Sequence, residues 1–409
     1  MLPRSPATQA VGSRSSAGAP SLASVSGSAP SIDDLSGDPH PHLARLRATS
    51  PVAWVPALRS FLVTSRSAAI EVLRDPATFT VDDPRFSTAQ VVGPSMLSLD
   101  GREHARHRTP FVAPFRPRQV TERFGRSVDA VVDRLVGDIV DVGPDLEIDL
   151  LPALAGPLSA AVVADSLGLD GADPLVVGRL LGWYREIVGS VTGVASGEPV
   201  TAGGAEAMAD LGATLRDHLD AGDSLLADAS GHGGLSADEV VSNAAVVMFG
   251  GIETTEGMLL NAVWHLLSWP EQLAEVVADP ALVAVAVEES LRMEPAAAVV
   301  DRYATRDLEL GGAAIPAGAP VTVSLAGANR DPAEFADPDR FDVRRPNARR
   351  HLAFASGPHV CVGMDLARLE VVTAVRALLA LPDLRLSTDA PAPTGLVFRK
   401  PARLPVRWG

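Results

Sequence analysis

The chain has 409 residues, of which 46% are hydrophobic and 21% are charged, a composition typical of a globular protein with a substantial core. Its formal net charge of −15 argues against nucleic-acid binding and against electrostatic attachment to anionic membranes. The single cysteine excludes, within one chain, a disulfide framework and a cysteine-rich zinc site.

The N-terminal segment over 1–31 is rich in Ser, Ala, Gly and Pro and has no continuous apolar h-region. We therefore expect a disordered tail there and not a signal peptide. No later stretch reaches the roughly 18–20 uninterrupted apolar residues that a membrane span needs. We expect residues 32–409 to form a single domain of a monomeric, cytoplasmic protein that contacts neither membranes nor nucleic acid.

Apolar residues recur at helical spacing through most of the chain, and Gly and Pro mark the breaks. The longest predicted helix begins near Ala237, where Ser236 and Glu239 have the spacing of a capping box. Helices dominate and no βαβ alternation is present, which indicates a mainly α (α+β) fold and excludes a Rossmann or barrel enzyme. In chain order we predict a helix over 38–48, strands over 52–55 and 61–63, a helix over 65–74, an irregular stretch over 81–99, helices over 101–115, 117–140, 153–168, 173–190, 204–228, 236–268, 270–278 and 280–293, strands over 298–304, 307–310 and 320–325, a polar stretch over 330–350, and a helix over 363–379 before short closing strands.

The only cysteine, Cys361, lies in a loop directly before the last predicted helix. A lone cysteine is more often a small buried core residue than a ligand. This one, however, precedes a helix N-terminus, where free N–H groups and the helix dipole favour the thiolate. Gly357 and Pro358 permit a sharp turn before it, and Gly363 permits close approach of the backbone. Such a loop is suited to hold a metal through sulfur.

The order Phe354, Gly357, Cys361, Gly363 resembles the haem-binding signature of the cytochrome P450 family, Phe-x-x-Gly-x-x-x-Cys-x-Gly. The resemblance runs from about residue 35 to the C-terminus. It implies the helical fold of that family with small β-sheets, and haem b between the long central helix and the cysteine loop. It also implies that Cys361 is the proximal ligand of the iron, that its thiolate promotes O–O cleavage, and that Phe354 shields the sulfur from water.

Adjacent glycines, Gly250 and Gly251, lie in the middle of the long helix just before Glu253 and Thr254. Each glycine costs about 1 kcal/mol relative to alanine, and close helix packing is one explanation for the pair. Thr254 can also donate a hydrogen bond to the carbonyl of Gly250 and loosen the helix locally. The segment resembles the family's oxygen-activation motif. That resemblance implies that the helix lies against the haem, with Glu253 as the acid and Thr254 as the alcohol of proton delivery.

Glu289 and Arg292 lie three residues apart on one helical face. Most such pairs are solvated salt bridges that contribute little to stability. These two match the Glu-x-x-Arg of the family, which implies a structural triad with an arginine of the following polar stretch. We predict Arg340 as that third member, and we expect the triad to brace the cysteine loop.

A buried haem needs partners for its two propionates. His104 and Arg108 have the i, i+4 spacing of the family's His-x-x-x-Arg, and Arg302 follows the Glu-x-x-Arg helix where the family places a propionate arginine. His359, two residues before the cysteine, occupies another such position. Each of these residues alone would more often be a surface residue, but together they form a coherent set.

The segments that the resemblance places around the substrate are mostly aliphatic, so we expect an uncharged or weakly polar small organic molecule. The predicted lining residues are Met96, Leu97, Val246, Val247, Val299, Val397 and Phe398.

No part of the sequence resembles an attached flavin or iron–sulfur module, so the electrons have to come from another protein. The resemblance implies NAD(P)H as their source, with an external reductase and a ferredoxin as carriers. Two basic stretches in this acidic chain are suited to attract an acidic donor. They are 340–368, with six Arg and two Asp, and 102–118, with five Arg and one Glu. Neutralisation of propionates accounts for only some of these arginines.

The expected function is therefore hydroxylation, or another oxidation by O2, of a small molecule in secondary-metabolite biosynthesis. Catabolic oxidation of a xenobiotic or aromatic compound, for example O-demethylation, uses the same haem chemistry. A non-catalytic haem-thiolate sensor is an alternative from another class, but passive gas binding needs no acid and alcohol pair such as Glu253 and Thr254. An alternative without haem is a helical binding protein in which Cys361 belongs to the core.

Overall fold

Helices account for most of the fold in the computed structural model, which describes residues 29–195, 197–220, 222 and 224–409. The predicted disordered tail over 1–31 lies outside these residues except for its last three positions. No helix of the described part is both long and apolar enough to cross a membrane. The helices are α1 (Ile32–Ser36), α2 (His40–Thr49), α3 (Arg66–Arg74), α4 (Ser87–Val92), α5 (Gly101–Val112), α6 (Pro117–Val142), α7 (Gly156–Ser166), α8 (Pro174–Ala195), α9 (Ala202–Arg216), α10 (Leu225–Gly231), α11 (Ala237–Ser268), α12 (Pro270–Ala278), α13 (Val283–Met293), α14 (Leu325–Ala328) and α15 (Met364–Leu378).

The strands form three small sheets. The largest sheet has the order β1-β2-β8-β5-β3, in which only β2 and β8 run parallel, so N-terminal and C-terminal segments meet in one sheet. A three-stranded sheet has the order β4-β10-β9, and β6 and β7 form a hairpin. The strands are β1 (Val52–Val55), β2 (Ser60–Val63), β3 (Phe79–Thr80), β4 (Ile148–Asp149), β5 (Val299–Ala304), β6 (Leu308–Leu310), β7 (Ala313–Ile315), β8 (Pro320–Ser324), β9 (Arg385–Leu386) and β10 (Pro405–Arg407).

Helix α11 is the central element of the fold. It has 32 residues, which corresponds to a length of about 48 Å at the rise of an α-helix. The predicted capping box is present, because the Ser236 side chain accepts from the backbone N–H of Glu239 and the Glu239 side chain accepts from that of Ser236. Most of its residues are buried against α7, α9, α13 and α15. A helix that is buried on nearly all sides has to be apolar on nearly all sides, as this one is.

Two predictions differ from the structure in the number of helices, and others differ only in their limits, such as the helix predicted over 173–190, which extends to Ala195. The helix expected over 204–228 is two helices, α9 and α10, and the second is capped by Ser224, whose side chain accepts from the backbone N–H of Ala227. The missed signal was a serine N-cap directly after a polar segment, 217–223, that contains three Asp and one Gly. The stretch over 81–99, expected to be irregular, contains α4, because six residues between the breakers Pro84 and Gly93 suffice for a short helix.

Candidate active site

The loop that carries Cys361 is held in a tight conformation by its own backbone. The N–H of Cys361 donates to the carbonyl of Phe354 at 2.9 Å, and the turn passes through Gly357 at a φ of 76°. A Cβ on Gly357 would lie 2.3 Å from the carbonyl oxygen of Leu73, so glycine is required there by the close approach of α3 as well as by φ. The loop therefore fixes the cysteine at the start of α15.

The Cys361 side chain is exposed to solvent, although protein atoms surround it closely enough for desolvation to raise the pKa of its thiol. The N–H of Gly363 and the charges of Arg108 and Arg368 act in the opposite direction, but burial dominates. The helix N-terminus alone thus does not make the thiolate that its position led us to expect. A side chain that is accessible and yet desolvated borders a space inside the protein, and a metal ion in that space would deprotonate the thiol.

Helix α11 has an accessible stripe within its otherwise buried middle. Val246, Gly250 and Thr254 are partly exposed at i, i+4 and i+8, and Val247 and Gly251 adjoin them. Residues at this spacing share one helical face, so that face borders an internal space. A Cβ on Gly250 would meet no atom within 4 Å, whereas a Cβ on Gly251 would lie 2.7 Å from the Val163 side chain on α7. The first glycine therefore faces open space, and the second permits close helix packing.

The acid and alcohol residues of α11 lie beside this stripe. The Thr254 hydroxyl donates to the carbonyl of Gly250 at 2.6 Å, the contact expected from the sequence. Glu253 is buried, and its carboxylate lies 3.0 Å from the ammonium of Lys400, which also donates to Glu256 at 2.5 Å. Glu253 is therefore held by a cation that the sequence did not identify as part of the site.

The predicted propionate partners come together on one side of the cysteine loop. Arg108 donates to the carbonyl of Val360 at 2.6 Å, and the rings of His104 and His359 lie 4.3 Å apart between centroids. His359 contacts Asp100 at 2.8 Å. Burial tends to raise the pKa of Asp100, but hydrogen bonds from His359, Thr80 and Val81 outweigh it and bring that pKa to about 2.

Three of these basic groups, His104, Arg108 and Arg302, are buried or partly buried without a carboxylate partner in the described ranges. Nε2 of His104 has no hydrogen-bond partner among the described residues, and burial lowers the pKa of its ring to about 4. Arg302 is buried, and among the residues that the structure describes its side chain donates only to the carbonyl of Asp301 beside it. Within the described part of the chain, neither Arg108 nor Arg302 has a carboxylate within salt-bridge distance. Buried donors of this kind normally have partners, so the cluster is suited to bind carboxylates of a ligand.

The structural triad is present with a different third member. Glu289 and Arg292 form a bidentate pair at 2.8 Å with no exposed surface, which excludes the solvated salt bridge. The prediction of Arg340 is wrong, because that side chain is exposed and only its carbonyl accepts from Arg292. Arg345 donates to Glu289 at 2.8 Å instead, and it also caps the carbonyls of Ala336, Asp337 and Arg340.

The predicted substrate-pocket residues occupy two neighbourhoods along α11. Met96 is buried and its N–H donates to Asn243 of α11 at 2.8 Å, while Leu97 is partly buried. On the other side, the rings of Phe398 and Phe249 meet in a T-shaped, edge-to-face contact. The carbonyl of Val397, next to Phe398, accepts a hydrogen bond from the N–H of Ala298. Val299 is partly buried and Val397 is 42% exposed. The segments on both sides flank the accessible stripe of Val246 and Val247.

Comparisons with known proteins agree with this arrangement. Residues 206–394 match the family model described as Cytochrome P450. The chain is 36% identical over 402 residues to the cytochrome P450 monooxygenase PikC of Streptomyces venezuelae, and this alignment covers 92% of each protein. It is 34% identical to the 20-oxo-5-O-mycaminosyltylactone 23-monooxygenase of Streptomyces fradiae, over 90% of each. Among solved structures, CalO2 superposes with a TM-score of 0.82 at 30% identity, covering 91% of this chain and 96% of that one.

The chain belongs to the cytochrome P450 family. It has the mainly α fold of that family, and it is an oxidoreductase of the monooxygenase type. Membership implies a haem cofactor, a small-molecule substrate, O2 and an external source of electrons.

The residues present fit a haem. Cys361 offers an accessible sulfur that one N–H and two cations face, and the unpartnered Nε2 of His104 with Arg108 and Arg302 offers donors for two propionates. The open position above Gly250 leaves room for a flat macrocycle against α11.

Several residues of this P450 site were not found from the sequence. Asp100 holds His359, Glu288 holds His351 and Arg368 behind the cysteine loop, and Glu256 shares Lys400 with Glu253. Only Lys400 carried a visible signal, since it is the one lysine of the sequence. The others are ordinary acids whose importance comes from partners more than 60 residues away.

Proposed function

We propose that this P450 inserts one oxygen atom of O2 into a mostly apolar secondary metabolite, with haem b as its cofactor. The reaction consumes R–H, O2, two electrons and two protons, and it yields R–OH and water. The observation that carries the proposal is the accessible stripe on α11, in which open space at Gly250 lies one turn from the Thr254 hydroxyl and beside Glu253. A sensor needs no such acid and alcohol at its haem.

The side chains around the haem have distinct roles in this proposal. Haem would supply the redox chemistry, and the Cys361 thiolate would be the residue that holds its iron. His104, Arg108, Arg302 and His359 would hold the propionates. The remaining contributions are local: Phe354 and the N–H of Gly363 shield and hydrogen-bond the sulfur, and Gly250 and Gly251 let α11 approach the macrocycle.

Proton delivery is the part of the reaction that the chain itself performs on the distal side. In this structure the Thr254 hydroxyl donates to the carbonyl of Gly250, four residues earlier in the helix. A hydroxyl at a loosened helical turn can exchange that carbonyl for water, and Glu253 next to it can take up a proton from solvent and pass it on.

Replacing Thr254 by valine removes the hydroxyl and keeps the shape of the side chain. We expect product formation per electron to fall on the order of a hundredfold, with hydrogen peroxide rising in its place, because general acid catalysis contributes about that much. Thr255→Val is the matched control, since Thr255 is buried one position away and off the accessible stripe. Equal yields from the two variants would contradict the role of Thr254.

The substrate class is tested by binding. The flanking residues Met96, Val246 and Phe398 are apolar, and one curated relative is named for oxidation of 20-oxo-5-O-mycaminosyltylactone, a glycosylated macrolactone. We expect that compound or its aglycone, 20-oxotylactone, to displace water and shift the haem spin state, and to be hydroxylated with a reconstituted electron supply. Turnover of methoxybenzoates alone would favour the catabolic alternative, and a haem protein that oxidises none of these compounds would favour the sensor.

The electron donor in this proposal is a cytoplasmic ferredoxin, reduced from NAD(P)H by its reductase. Not all arginines of the basic stretch remain available to it. Arg345 is internal, and Arg368 and Arg350 pair with Glu288 and Glu334 at 2.6 and 2.8 Å. Arg349 is 76% exposed, and the nearest carboxylate within the described part of the chain, that of Glu288, lies 3.9 Å away, which makes Arg349 the strongest candidate for contact with an acidic donor.

Arg349→Glu is therefore expected to slow reduction by a plant-type ferredoxin roughly tenfold at low ionic strength, and less at high salt, since steering charges act mainly on association. Stopped-flow absorbance of the haem under carbon monoxide measures the rate. Arg216→Glu, on α9 and 48% exposed, is the control with the same charge change. Identical salt dependence in both variants would rule out docking at Arg349.

A further inference from the structure

Lys400 reaches α11 from a C-terminal turn whose backbone is firmly anchored. Lys400 and Thr394 exchange both backbone hydrogen bonds at 3.2 Å, and the carbonyl of Arg399 accepts from the Asn261 side chain of α11 at 2.9 Å. Gly257 of α11 permits this approach, because a Cβ there would lie 3.4 Å from the same carbonyl and 2.9 Å from Ala296. The ammonium therefore comes to α11 from a fixed backbone position.

The ammonium serves two carboxylates at once. It donates to Glu256 at 2.5 Å and lies 3.0 Å from Glu253, three residues earlier on the same helical face. The side chains of Glu253, Glu256 and Lys400 are 9%, 6% and 19% exposed, so little water is available to replace any of these contacts. Two acids and one base in a desolvated cluster carry a net charge of −1 when all three are ionised.

The carboxylate of Glu256 occupies a different place in the packing from that of Glu253, the acid of the site. A Cβ on Gly156 of α7 would lie 3.2 Å from the Oε1 atom of Glu256. The glycine at position 156 therefore leaves room for this carboxylate. Burial raises the pKa of Glu256, whereas Lys400 and Arg185 act to lower it. Burial likewise opposes the charge on Lys400, but the two carboxylates outweigh it and raise the pKa of the ammonium.

We infer that Glu256 and Lys400 are positioning residues that let Glu253 change its charge and its direction during proton delivery. The shorter contact, 2.5 Å between Lys400 and Glu256, is the pair that stays, and the contact of 3.0 Å with Glu253 is the one that opens. When Glu253 takes up a proton, the cluster becomes neutral and the ammonium keeps Glu256 as its counter-ion. Without Glu256, release of Glu253 would leave a buried, unpaired ammonium, which is strongly unfavourable. The inference rests on the role of Glu253 in the proposed function.

The direct test uses the fact that Lys400 is the only lysine of the chain. Incorporation of carbon-13 ε-labelled lysine into the holoenzyme, in its reduced and carbon monoxide-bound form, gives one side-chain resonance. We expect Glu253→Gln to leave that resonance close to its wild-type shift, with slow hydrogen exchange of the ammonium. Glu256→Gln is expected to change both the shift and the exchange rate. Equal responses to the two variants, or none to Glu256→Gln, would overturn the inference.

A second readout follows the protons. Without added substrate, the holoenzyme with ferredoxin and reductase converts O2 to hydrogen peroxide with two electrons and two protons, or to two water molecules with four of each. Glu256→Gln should bind Glu253 to Lys400 and raise the peroxide fraction several-fold. The double variant Lys400→Met with Glu256→Gln restores the net charge of −1 and frees Glu253, so it should return that fraction toward wild type. A double variant no better than Glu256→Gln would also overturn the inference.

These outcomes are separable from a failure of the proposed function. All variants should retain the red-shifted Soret band of the reduced carbon monoxide complex, because none alters the cysteine loop. Absence of that band in the wild-type protein would contradict the haem-thiolate proposal itself, whereas a normal band with an unresponsive Lys400 resonance would contradict only the positioning role.

Discussion

Replacing Cys361 by serine is expected to abolish the strongly red-shifted Soret band of the reduced, carbon monoxide-bound protein and to reduce substrate oxidation to background. Thiolate ligation causes both properties, because the sulfur donates electron density to the iron and promotes O–O cleavage. A serine hydroxyl in the same desolvated place remains protonated and is a much weaker donor. Absorbance spectra of purified wild-type and variant protein at equal haem content measure the change.

Val362→Ala is the matched control for this substitution. Val362 is the next residue of the loop and partly buried, and it supplies no ligand atom, so we expect its variant to keep the band. A Cys361→Ser protein that retains the band would mean that another side chain ligates the iron. Protein that is colourless in both forms, and that takes up no added haem, would favour the binding protein in which the cysteine is a core residue.

Arg345→Ala is expected to destabilise the fold by about 3–5 kcal/mol, because the Glu289 carboxylate and three backbone carbonyls lose a charged donor, at roughly 1–3 kcal/mol for each such hydrogen bond. Arg345 contributes one of the two guanidinium groups that neutralise Glu289, which has no exposed surface, and it satisfies three backbone carbonyls of the polar stretch. Because this stretch leads into the cysteine loop, the variant should also lose haem more easily. Urea unfolding followed by fluorescence, and haem content after purification, measure the two effects.

Arg340→Ala is the control that tests whether Arg345, and not Arg340, is the third member of the triad. Arg340 was the residue expected from the sequence, but its side chain is exposed and contributes only a carbonyl to the triad, so its variant should stay within about 0.5 kcal/mol of wild type. Arg345→Lys keeps the charge and loses the planar fork of donors, and it should lie between the two. Greater destabilisation by Arg340→Ala than by Arg345→Ala would contradict the assignment.

Much of the helical fold could be predicted from the sequence, because long amphipathic or apolar segments with clear breakers fix their own limits. The limits predicted for α11 and α12 agree with the structure to within one residue, as do those of β1 and β8. The errors lie where short-range signals compete. Ser224 caps a new helix after the polar segment 217–223, which the prediction ran through, and α4 fits between two residues, Pro84 and Gly93, that break helices.

The third member of the triad could not be chosen from the sequence. The polar stretch over 330–350 contains six arginines, at 330, 340, 344, 345, 349 and 350. Arg330 donates to the carbonyl of Met293 and to Asp339, which leaves five candidates. Any of them has the charge to meet Glu289. The irregular backbone decides which one points inward, and it directs Arg345 to the carboxylate while Arg340 points to solvent.

The sequence by itself determined the residues whose roles depend on local spacing. Cys361 before a helix start, Gly250 and Thr254 one turn apart, and Glu289 and Arg292 on one face are all defined within a few positions, where helix and turn geometry leaves little freedom. The tertiary structure alone decided the partners that arrive from distant segments. Asp100 for His359, Arg345 for Glu289 and Lys400 for Glu253 come from loops whose course depends on the packing of the whole chain. Contacts of that kind have no period in the sequence, because chain segments of any separation can be brought together by the burial of apolar surface.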